Sequence, residues 1–328
     1  MIKLLLAFIS GVALGVLSGR AGVPDKLLKL TAIRPLGRKV ILNTPTDSGL
    51  TANDWRRSYA RHGHITLVAF GQSQAANFGE PDALATDSVW ALYNGRVHRS
   101  GGVMPGVEGT GMSVWPRLAT RLEHYFGKPV VVLPIAVGAT LAEDWLPSAY
   151  LGRRLREIIE SAVHSDMEPS AALLMLGEAD AAKGTSHHVF ARHLREVAEQ
   201  IGRIGRGPVL VVARETRCYD VPATDAIRNA QRFIVNNTSV LAGPDLDQLG
   251  PGFRWDGCHF NSMGLDSVSS LWMRTLLTLG DSVWLRGRIA DEQSDEIDSK
   301  SQRAIARGLQ LTPKLAFSAK FRSEEDVR

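Results

Sequence analysis

The chain has 328 residues, of which 44% are hydrophobic and 22% charged, with 31 Gly and 15 Pro. These values are typical of globular domains and exclude collagen, a coiled coil, bulk disorder and a polytopic membrane protein. The net charge is only +4, and Lys and Arg form no clustered run, which argues against a nucleic-acid partner. The length permits either two average domains or one α/β domain with extensions.

An uncharged apolar stretch, residues 4–18, lies near the N-terminus between Lys3 and Arg20. A helix over this stretch would be about 22 Å long, shorter than the roughly 30 Å hydrocarbon core of a bilayer. This length favours a signal peptide within residues 1–21, with an uncleaved membrane anchor and a buried N-terminal helix as alternatives. We therefore expect an exported protein, either periplasmic or secreted, or attached to the membrane through residues 4–18.

Two further segments are predicted to lie outside the folded domain. Residues 22–61 carry several prolines and no sustained hydrophobic period, which predicts a linker. Residues 285–328 are rich in Asp, Glu, Ser, Lys and Arg and poor in aromatic residues, which predicts a charged, solvated tail. The folded domain is therefore expected within residues 62–284.

Apolar runs alternate with helical patterns throughout this domain. The runs are continuously apolar, which predicts strands buried on both faces of a parallel sheet. Their alternation with helices predicts an α/β fold with three layers, α/β/α, and a doubly wound, mainly parallel five-stranded sheet. The apolar runs are residues 65–70, 130–135, 171–176 and 209–213. The segments with helical spacing are residues 114–126, 150–163, 186–204, 224–236 and 262–279.

A small hairpin is predicted after the first strand. Residues 89–93 and 96–99 are short β-rich segments that flank Asn94-Gly95. Asn-Gly is favoured in two-residue hairpin turns, because both positions need a positive φ.

The first apolar run is followed by Gly71-Gln72-Ser73-Gln74. Ligands of doubly wound sheets bind beyond the carboxyl ends of the strands, so these residues are placed to meet a substrate. A serine at a strand-to-helix turn can expose its hydroxyl, and the following backbone N–H groups can bind an oxyanion. Taken alone, Ser73 is more simply explained as a helix N-cap.

The second and third runs are also followed by candidate site residues. Gly138 follows the second run, and a glycine there lets a backbone N–H approach a substrate closely, although a turn glycine is the simpler explanation. Glu178 and Asp180 follow the third run and place two carboxylates at a strand end, where they often serve only as helix caps.

The strongest local signal is Asp256-Gly257-Cys258-His259, which directly precedes the last predicted helix. A hydroxyl nucleophile needs an imidazole to take its proton, and the imidazole needs a carboxylate to fix its tautomer. An Asp and a His three residues apart on one loop supply both groups. Together with Ser73, they predict a site for nucleophilic catalysis.

The four loop blocks together resemble the motifs of the SGNH hydrolase superfamily, and within it the branch that includes sialate O-acetylesterases and carbohydrate esterase family six. The resemblance covers residues 65–279, about two thirds of the chain. Trp145 matches the tryptophan that follows the glycine block in this family. The matching blocks are Gly71-Gln72-Ser73 for GQS, Val137-Gly138-Ala139-Thr140 for the glycine block often written GGT, Leu176 to Asp180 for the QGESD-like block, and Asp256-Gly257-Cys258-His259 for DGxH.

The resemblance implies a flavodoxin-like SGNH fold and a serine esterase that removes acetyl or another short acyl group from a carbohydrate. Ser73 would be the nucleophile, His259 the general base and then acid, and Asp256 the carboxylate that orients it. The backbone N–H groups of Ser73 and Gly138 would bind the oxyanion. No metal or cofactor is implied, and the partner would be an acylated carbohydrate.

Two departures from the family concern the oxyanion donors. Leu176 stands where the branch usually has Gln, and Ala179 stands where other SGNH enzymes have Asn. Loss of one oxyanion donor typically costs about 100- to 1000-fold in turnover. Gln72, Gln74 and Arg214 are the candidates for a substitute donor.

Other members of the predicted site have less specific roles. Glu178 and Asp180 are expected to hold the third loop. Four tryptophans could line a sugar pocket, namely Trp90, Trp115, Trp145 and Trp255. The alternatives to an esterase are an envelope polysaccharide O-acyltransferase and a membrane-tethered glycan-binding protein on the same fold.

The only two cysteines are Cys218 and Cys258, which are too few and too widely spaced for a zinc site or a CxxC motif. They can be two thiols or one disulfide. In an exported protein a Cys218–Cys258 disulfide would close a loop of about 40 residues and stabilise the fold by about 4 kcal/mol.

Overall fold

The computed structural model describes residues 32–33, 40–83, 88–219, 223–280 and 282–283. The predicted targeting segment (1–21) and the predicted tail (285–328) lie outside these residues. Within the described ranges, no helix is both long and apolar enough to cross a membrane.

An eight-stranded sheet forms the centre of the protein, in the strand order β10-β9-β8-β4-β7-β5-β6-β3. The pairings from β10 to β5 are parallel, and those of β5 with β6 and of β6 with β3 are antiparallel. β1 and β2 form a separate antiparallel pair. The strands are β1 (Ala32–Ile33), β2 (Val40–Ile41), β3 (Leu50–Thr51), β4 (Ile65–Gly71), β5 (Val89–Tyr93), β6 (Arg96–Ser100), β7 (Val130–Ala136), β8 (Ala171–Met175), β9 (Val209–Arg214) and β10 (Val240–Asp245).

The predicted mainly parallel sheet is confirmed, but it has more than the five strands predicted. The predicted hairpin forms as β5 and β6 and joins the central sheet, because β5 also pairs with β7. At the opposite edge, β10 pairs with β9. Gly243 and Pro244 interrupt the apolar run of β10, which explains why its pattern did not predict a strand.

All five predicted helices are present. Two of them, His187–Ile201 and Asp225–Phe233, end three residues earlier than predicted, and the short helices Ala52–Tyr59 and Glu178–Lys183 were not predicted. The helices are α1 (Ala52–Tyr59), α2 (Trp115–Phe126), α3 (Tyr150–His164), α4 (Glu178–Lys183), α5 (His187–Ile201), α6 (Asp225–Phe233) and α7 (Ser262–Leu279).

The helices cover both faces of the sheet, which gives the three predicted layers. Along β4, Leu67 packs in the cluster that contains residues of α2 and α7, whereas its neighbour Val68 packs in the cluster that contains residues of α1, α3, α5 and α6. Because successive residues of a strand point to opposite faces, both faces must be apolar. This is why the parallel strands read as continuous apolar runs.

The start of the domain lies earlier than the predicted boundary at residue 62. β3 adds to the sheet edge beside β6, and α1 follows it directly. Trp55 of α1 is fully buried and contacts the ring of Trp90 edge-on, with centroids 5.6 Å apart. The prediction of a linker for residues 22–61 is therefore corrected for residues 50–59, which belong to the domain.

Candidate active site

Three of the four candidate blocks lie in loops at the carboxyl ends of the parallel strands β4, β7 and β8, and the fourth, with Asp256 and His259, lies between β10 and α7. β4 ends at Gly71, whose φ is 135° and where an added Cβ would lie 1.9 Å from the carbonyl oxygen of Met175. Only glycine fits there, because a side chain would collide with the backbone of β8. Ser73 begins a short 3-10 helix, Ser73–Ala75, and is 8% exposed. The tight turn thus places this serine just beyond the strand end.

Asp256 and His259 form a compact hydrogen-bonded unit. Asp256 Oδ2 lies 2.7 Å from His259 Nδ1, and Asp256 Oδ1 accepts the backbone N–H groups of Cys258 (2.8 Å) and His259 (2.7 Å). Burial acts to raise the pKa of Asp256, but the hydrogen bonds and charge of His259 outweigh it, so the pKa lies below its usual value. An ionised carboxylate at Nδ1 holds the proton there and leaves Nε2 as the acceptor. The predicted Asp-His pair is therefore arranged as a general base requires.

The Ser73 turn and the His259 loop lie against each other. Gln74 Nε2 donates to the carbonyl oxygen of Cys258 at 2.8 Å, which joins the residue after the serine to the residue before the histidine. The ring of Phe78 stacks on the imidazole of His259, with centroids 5.1 Å apart. Within the part of the chain that is described, no hydrogen bond joins the Ser73 hydroxyl to the imidazole. Such bonds are often loose before substrate binds.

The disulfide prediction is confirmed. Cys218 and Cys258 are bonded, which attaches the His259 loop to the segment that follows β9. Next to it, the backbone N–H of Tyr219 donates to the carbonyl oxygen of Gly257 at 3.0 Å. The His259 loop is thereby held from a second side.

The backbone N–H of Gly138 donates to Glu108 Oε2 at 2.9 Å. This N–H was predicted to bind the oxyanion of the substrate. In the structure it binds a carboxylate oxygen of the protein itself. Glu108 was not among the predicted site residues. It lies in a glycine-rich segment whose spacing carries no signal for a contact with Gly138.

Two of the three candidate substitutes for the missing amide, Gln74 and Arg214, donate to other groups of the protein. Gln72 is buried, and its Oε1 accepts the backbone N–H groups of Ala179 (3.2 Å) and Gly177 (3.4 Å). Gln74 holds Cys258, and Arg214 pairs with Asp245. Gln74 thus uses its donor to connect two loops. The contacts of Gln72 use its acceptor Oε1, so its role as a donor to the substrate stays a prediction.

Trp145 is fully buried, which corrects its prediction as a substrate contact. Its ring packs edge-on against Phe70 with centroids 5.3 Å apart, and its Nε1 donates to Thr140 Oγ1 at 3.2 Å. Trp90 and Trp115 are buried as well. Trp255, in contrast, is 47% exposed, and its Nε1 donates to the carbonyl oxygen of Phe78 at 3.1 Å. Of the four predicted pocket tryptophans, it alone presents a substantial surface beside the imidazole.

Glu178 is buried, with only 3% of its surface exposed. Burial raises its pKa to about 8, with the charge of Asp247 acting in the same direction and that of Arg254 against it. The neighbouring Glu215 is also fully buried, and burial and the charge of Glu178 raise its pKa. Glu178 is therefore corrected from a binding residue to a buried carboxyl beneath the loops.

Asp180 supports a neighbouring loop. Its Oδ2 accepts the backbone N–H of Ala142 at 2.8 Å, and burial raises its pKa to about 6. In the described ranges, no group of three or more His, Cys, Asp or Glu side chains is placed to hold a metal ion.

Comparison with known protein families finds no match, and none of the curated proteins matches the chain by sequence. Solved structures do match. A protein from Arabidopsis thaliana matches with a TM-score of 0.54 and 15% identity, over 66% of this chain and 98% of its own. The protein NanS matches with a TM-score of 0.51 and 13% identity, over 66% of this chain and 97% of its own. A carbohydrate acetylesterase from Xanthomonas citri matches with a TM-score of 0.46 and 13% identity, over 68% of this chain and 57% of its own.

These identities establish the fold alone. The matched part corresponds in extent to the region that carries the four motif blocks, and the architecture is the three-layer α/β/α arrangement described above. The chain therefore has the fold of the SGNH hydrolases, the superfamily that its motifs resemble.

Proposed function

We propose that this chain is a serine esterase that removes acetyl or another short acyl group from a carbohydrate. The observation that carries the proposal is the pair Asp256–His259, with an ionised carboxylate 2.7 Å from Nδ1. That pairing gives the imidazole a free acceptor at Nε2. Ser73, in the turn that follows β4, supplies the hydroxyl whose proton this acceptor takes.

In the proposed reaction, Ser73 Oγ attacks the acyl carbonyl and passes its proton to His259 Nε2. Asp256 stabilises the imidazolium that forms. The bond from the acyl carbon to the sugar oxygen then breaks, and His259 gives its proton to that oxygen. A water molecule repeats the sequence on the acyl-enzyme, which releases the carboxylic acid and restores the proton to Ser73.

A carbohydrate leaving group is supported by the motif resemblance and by the aromatic surface next to His259. Trp255 exposes part of its indole and is held by its bond to Phe78, whose ring stacks on His259. A fixed aromatic face of this kind gives an apolar surface at low cost in side-chain entropy. Substitution of Trp255 by Ala is expected to raise KM for an acetylated sugar more than for an aryl acetate.

The test of the proposed activity uses the purified protein, an aryl acetate and a serine-directed phosphonate. We expect turnover of the acetate and one phosphonate adduct, located on Ser73 by mass spectrometry of peptides. Ser73→Ala should abolish both, whereas the matched control Ser267→Ala, on the exposed side of α7, should keep both. Absence of turnover and of any adduct in the wild-type protein would contradict the proposal.

A catalytically weak glycan-binding protein is the second candidate. It is favoured by the occupied N–H of Gly138 and by Leu176 and Ala179 at the positions of the family's amide donors. Binding of acetylated glycans without turnover, unchanged in Ser73→Ala, would support this candidate over the esterase.

We further propose that the protein is exported, with residues 4–18 as a signal or anchor. The disulfide supports this proposal, because such bonds persist mainly in oxidising compartments. Fractionation of the source cells, with detection of the processed or full-length chain in the membrane and soluble exported fractions, is the test.

A further inference from the structure

The contact between Glu108 and Gly138 lies at the position that the proposed function requires for an oxyanion. Glu108 Oε2 is 2.9 Å from the nitrogen of Gly138. The Phe78 ring links this contact to His259, since an added Cβ at Gly138 would lie 3.3 Å from both Glu108 Oε2 and that ring, and the ring stacks on the imidazole. The carboxylate therefore lies next to the turn whose neighbouring aromatic ring contacts the candidate base.

The backbone that carries Glu108 is fixed on both sides. Its N–H donates to the carbonyl oxygen of Ala136 at 3.0 Å, and its own carbonyl oxygen accepts the N–H of Asn77 at 2.9 Å. Val107 also forms a bridge with Ala136. A displacement of the Glu108 backbone would break these bonds to two different segments.

The backbone next to Gly138 is fixed as well. The N–H of Val137 donates to the carbonyl oxygen of Gly71 at 3.1 Å, and Thr140 Oγ1 donates to the carbonyl oxygen of Val137 at 2.9 Å. The direction of the Gly138 N–H is therefore set by the fold. The Glu108 side chain, with its rotatable bonds, can release the Gly138 N–H while the backbone–backbone hydrogen bonds of both segments stay intact.

A single N–H cannot make a full hydrogen bond to a carboxylate and to an oxyanion at the same position, and two negative charges there would repel each other. We infer that Glu108 gates the oxyanion site: its carboxylate occupies the Gly138 N–H until an incoming acyl group displaces it. This inference rests on the proposed function. Glu108 then controls which substrates react, because only a substrate that displaces the carboxylate can accept a hydrogen bond from the Gly138 N–H.

The test compares wild type with Glu108→Gln and Glu108→Ala in their rate of phosphonylation at Ser73 by a small aryl phosphonate. A hydrogen bond to a carboxylate oxygen is stronger than one to a neutral amide oxygen, and Ala removes the side-chain acceptor of residue 108. We therefore expect the second-order rate constant to rise in the order wild type, Gln, Ala, by about 10- to 100-fold for Ala. Glu143→Gln, which removes an exposed partner of Lys183, is the matched control and should react like wild type.

Thermal unfolding of the same variants separates gating from bracing. If Glu108 only stabilises the Gly138 loop, Glu108→Ala should be phosphonylated more slowly than wild type, and Glu108→Gln at an intermediate rate. The Tm values should fall in the same order. Either that order or equal rates in all three proteins would overturn the gating role of Glu108. The esterase proposal would still stand, provided that Ser73 is labelled. No adduct in any of the three proteins would overturn the esterase proposal and the gate together.

Discussion

The two sides of the candidate site are built over very different distances in sequence. On the His259 side, Asp256 and His259 are three residues apart, and every hydrogen bond of the Asp256 carboxylate stays within this short loop. On the Gly138 side, the contact between Glu108 and Gly138 joins residues 30 positions apart. It depends on the pairing of Val107 with Ala136 of β7. The local side pairs a carboxylate with an imidazole, whereas the long-range side holds the Gly138 N–H occupied.

The largest effect is expected from the local side. Asp256→Asn keeps the shape of the side chain but offers no carboxylate to Nδ1, so the imidazole can adopt the wrong tautomer. Turnover of an aryl acetate should fall by about 10,000-fold, as expected for a serine hydrolase triad. Asp266→Asn, at an exposed ion pair with Arg117, is the control and should keep full activity. A loss below tenfold for Asp256→Asn would mean that this carboxylate does not orient the base.

The next largest effect is expected for the Cys218–Cys258 disulfide, which holds the His259 side of the site in place. Replacement of both Cys218 and Cys258 by Ser removes the bridge across 40 positions, and the chain-entropy model predicts a loss of about 4 kcal/mol in the free energy of unfolding. Denaturant unfolding with and without a thiol reductant measures it. The reductant should destabilise the wild-type protein and leave the double variant unchanged. An equal response of both proteins would show that the bridge does not contribute.

A smaller effect is expected where the serine turn meets the histidine loop. Gln74→Ala removes the buried bond to the carbonyl oxygen of Cys258, and a bond of this kind contributes about 1 to 3 kcal/mol when its partner is left unpaired. We expect kcat/KM for an aryl acetate to fall by about tenfold. Gln248→Ala, which removes an exposed side chain bonded to Asp245, should leave it unchanged. A lower Tm without any change in kcat/KM would assign Gln74 a purely structural role.

The difference between the two sides also explains what could be predicted from sequence. The strands and helices are encoded by short-range patterns, and those predictions are confirmed in the structure. The spacing of Asp256 and His259 is also local, and their hydrogen bond is present, while their catalytic roles stay predictions. β3 and α1 were missed because Pro45 and polar neighbours hide a short segment whose burial rests on Trp55. Its packing partner, Trp90, lies 35 positions further along the chain, so no local pattern reveals it.

Site residues whose roles depend on distant contacts were predicted less well. Gln72 and Gln74 were placed correctly in the loop after β4, but their partners come from residues 177–179 and 258, which no spacing rule reveals. Trp145 was matched to a family position, yet only the structure shows that it packs on Phe70 inside the core. Glu108 gave no signal at all, because its effect depends on where its flexible side chain meets one backbone N–H.

The smallest effect concerns the buried carboxyls below the His259 loop. Arg254 donates to the carbonyl oxygen of Cys258 and lies near the charge of Glu178, whose pKa burial raises to about 8. A carboxyl with a raised pKa in the folded state binds its proton more tightly there than in the unfolded state. Its contribution to stability is therefore present at acid pH and is lost as the pH rises from its unfolded value of about 4.3 through about 8.

Glu178→Gln removes this titration and keeps the size of the side chain. Between pH 5 and pH 9 the Tm of wild type should fall further than that of Glu178→Gln, so the variant gains a few degrees relative to wild type at pH 9. Glu157→Gln, at an exposed pair with Arg154, should follow the wild-type curve and serves as the control. If wild type and Glu178→Gln lose the same Tm over this range, Glu178 keeps its charge in the folded protein. Arg254 would then have to balance that charge while it holds the Cys258 carbonyl.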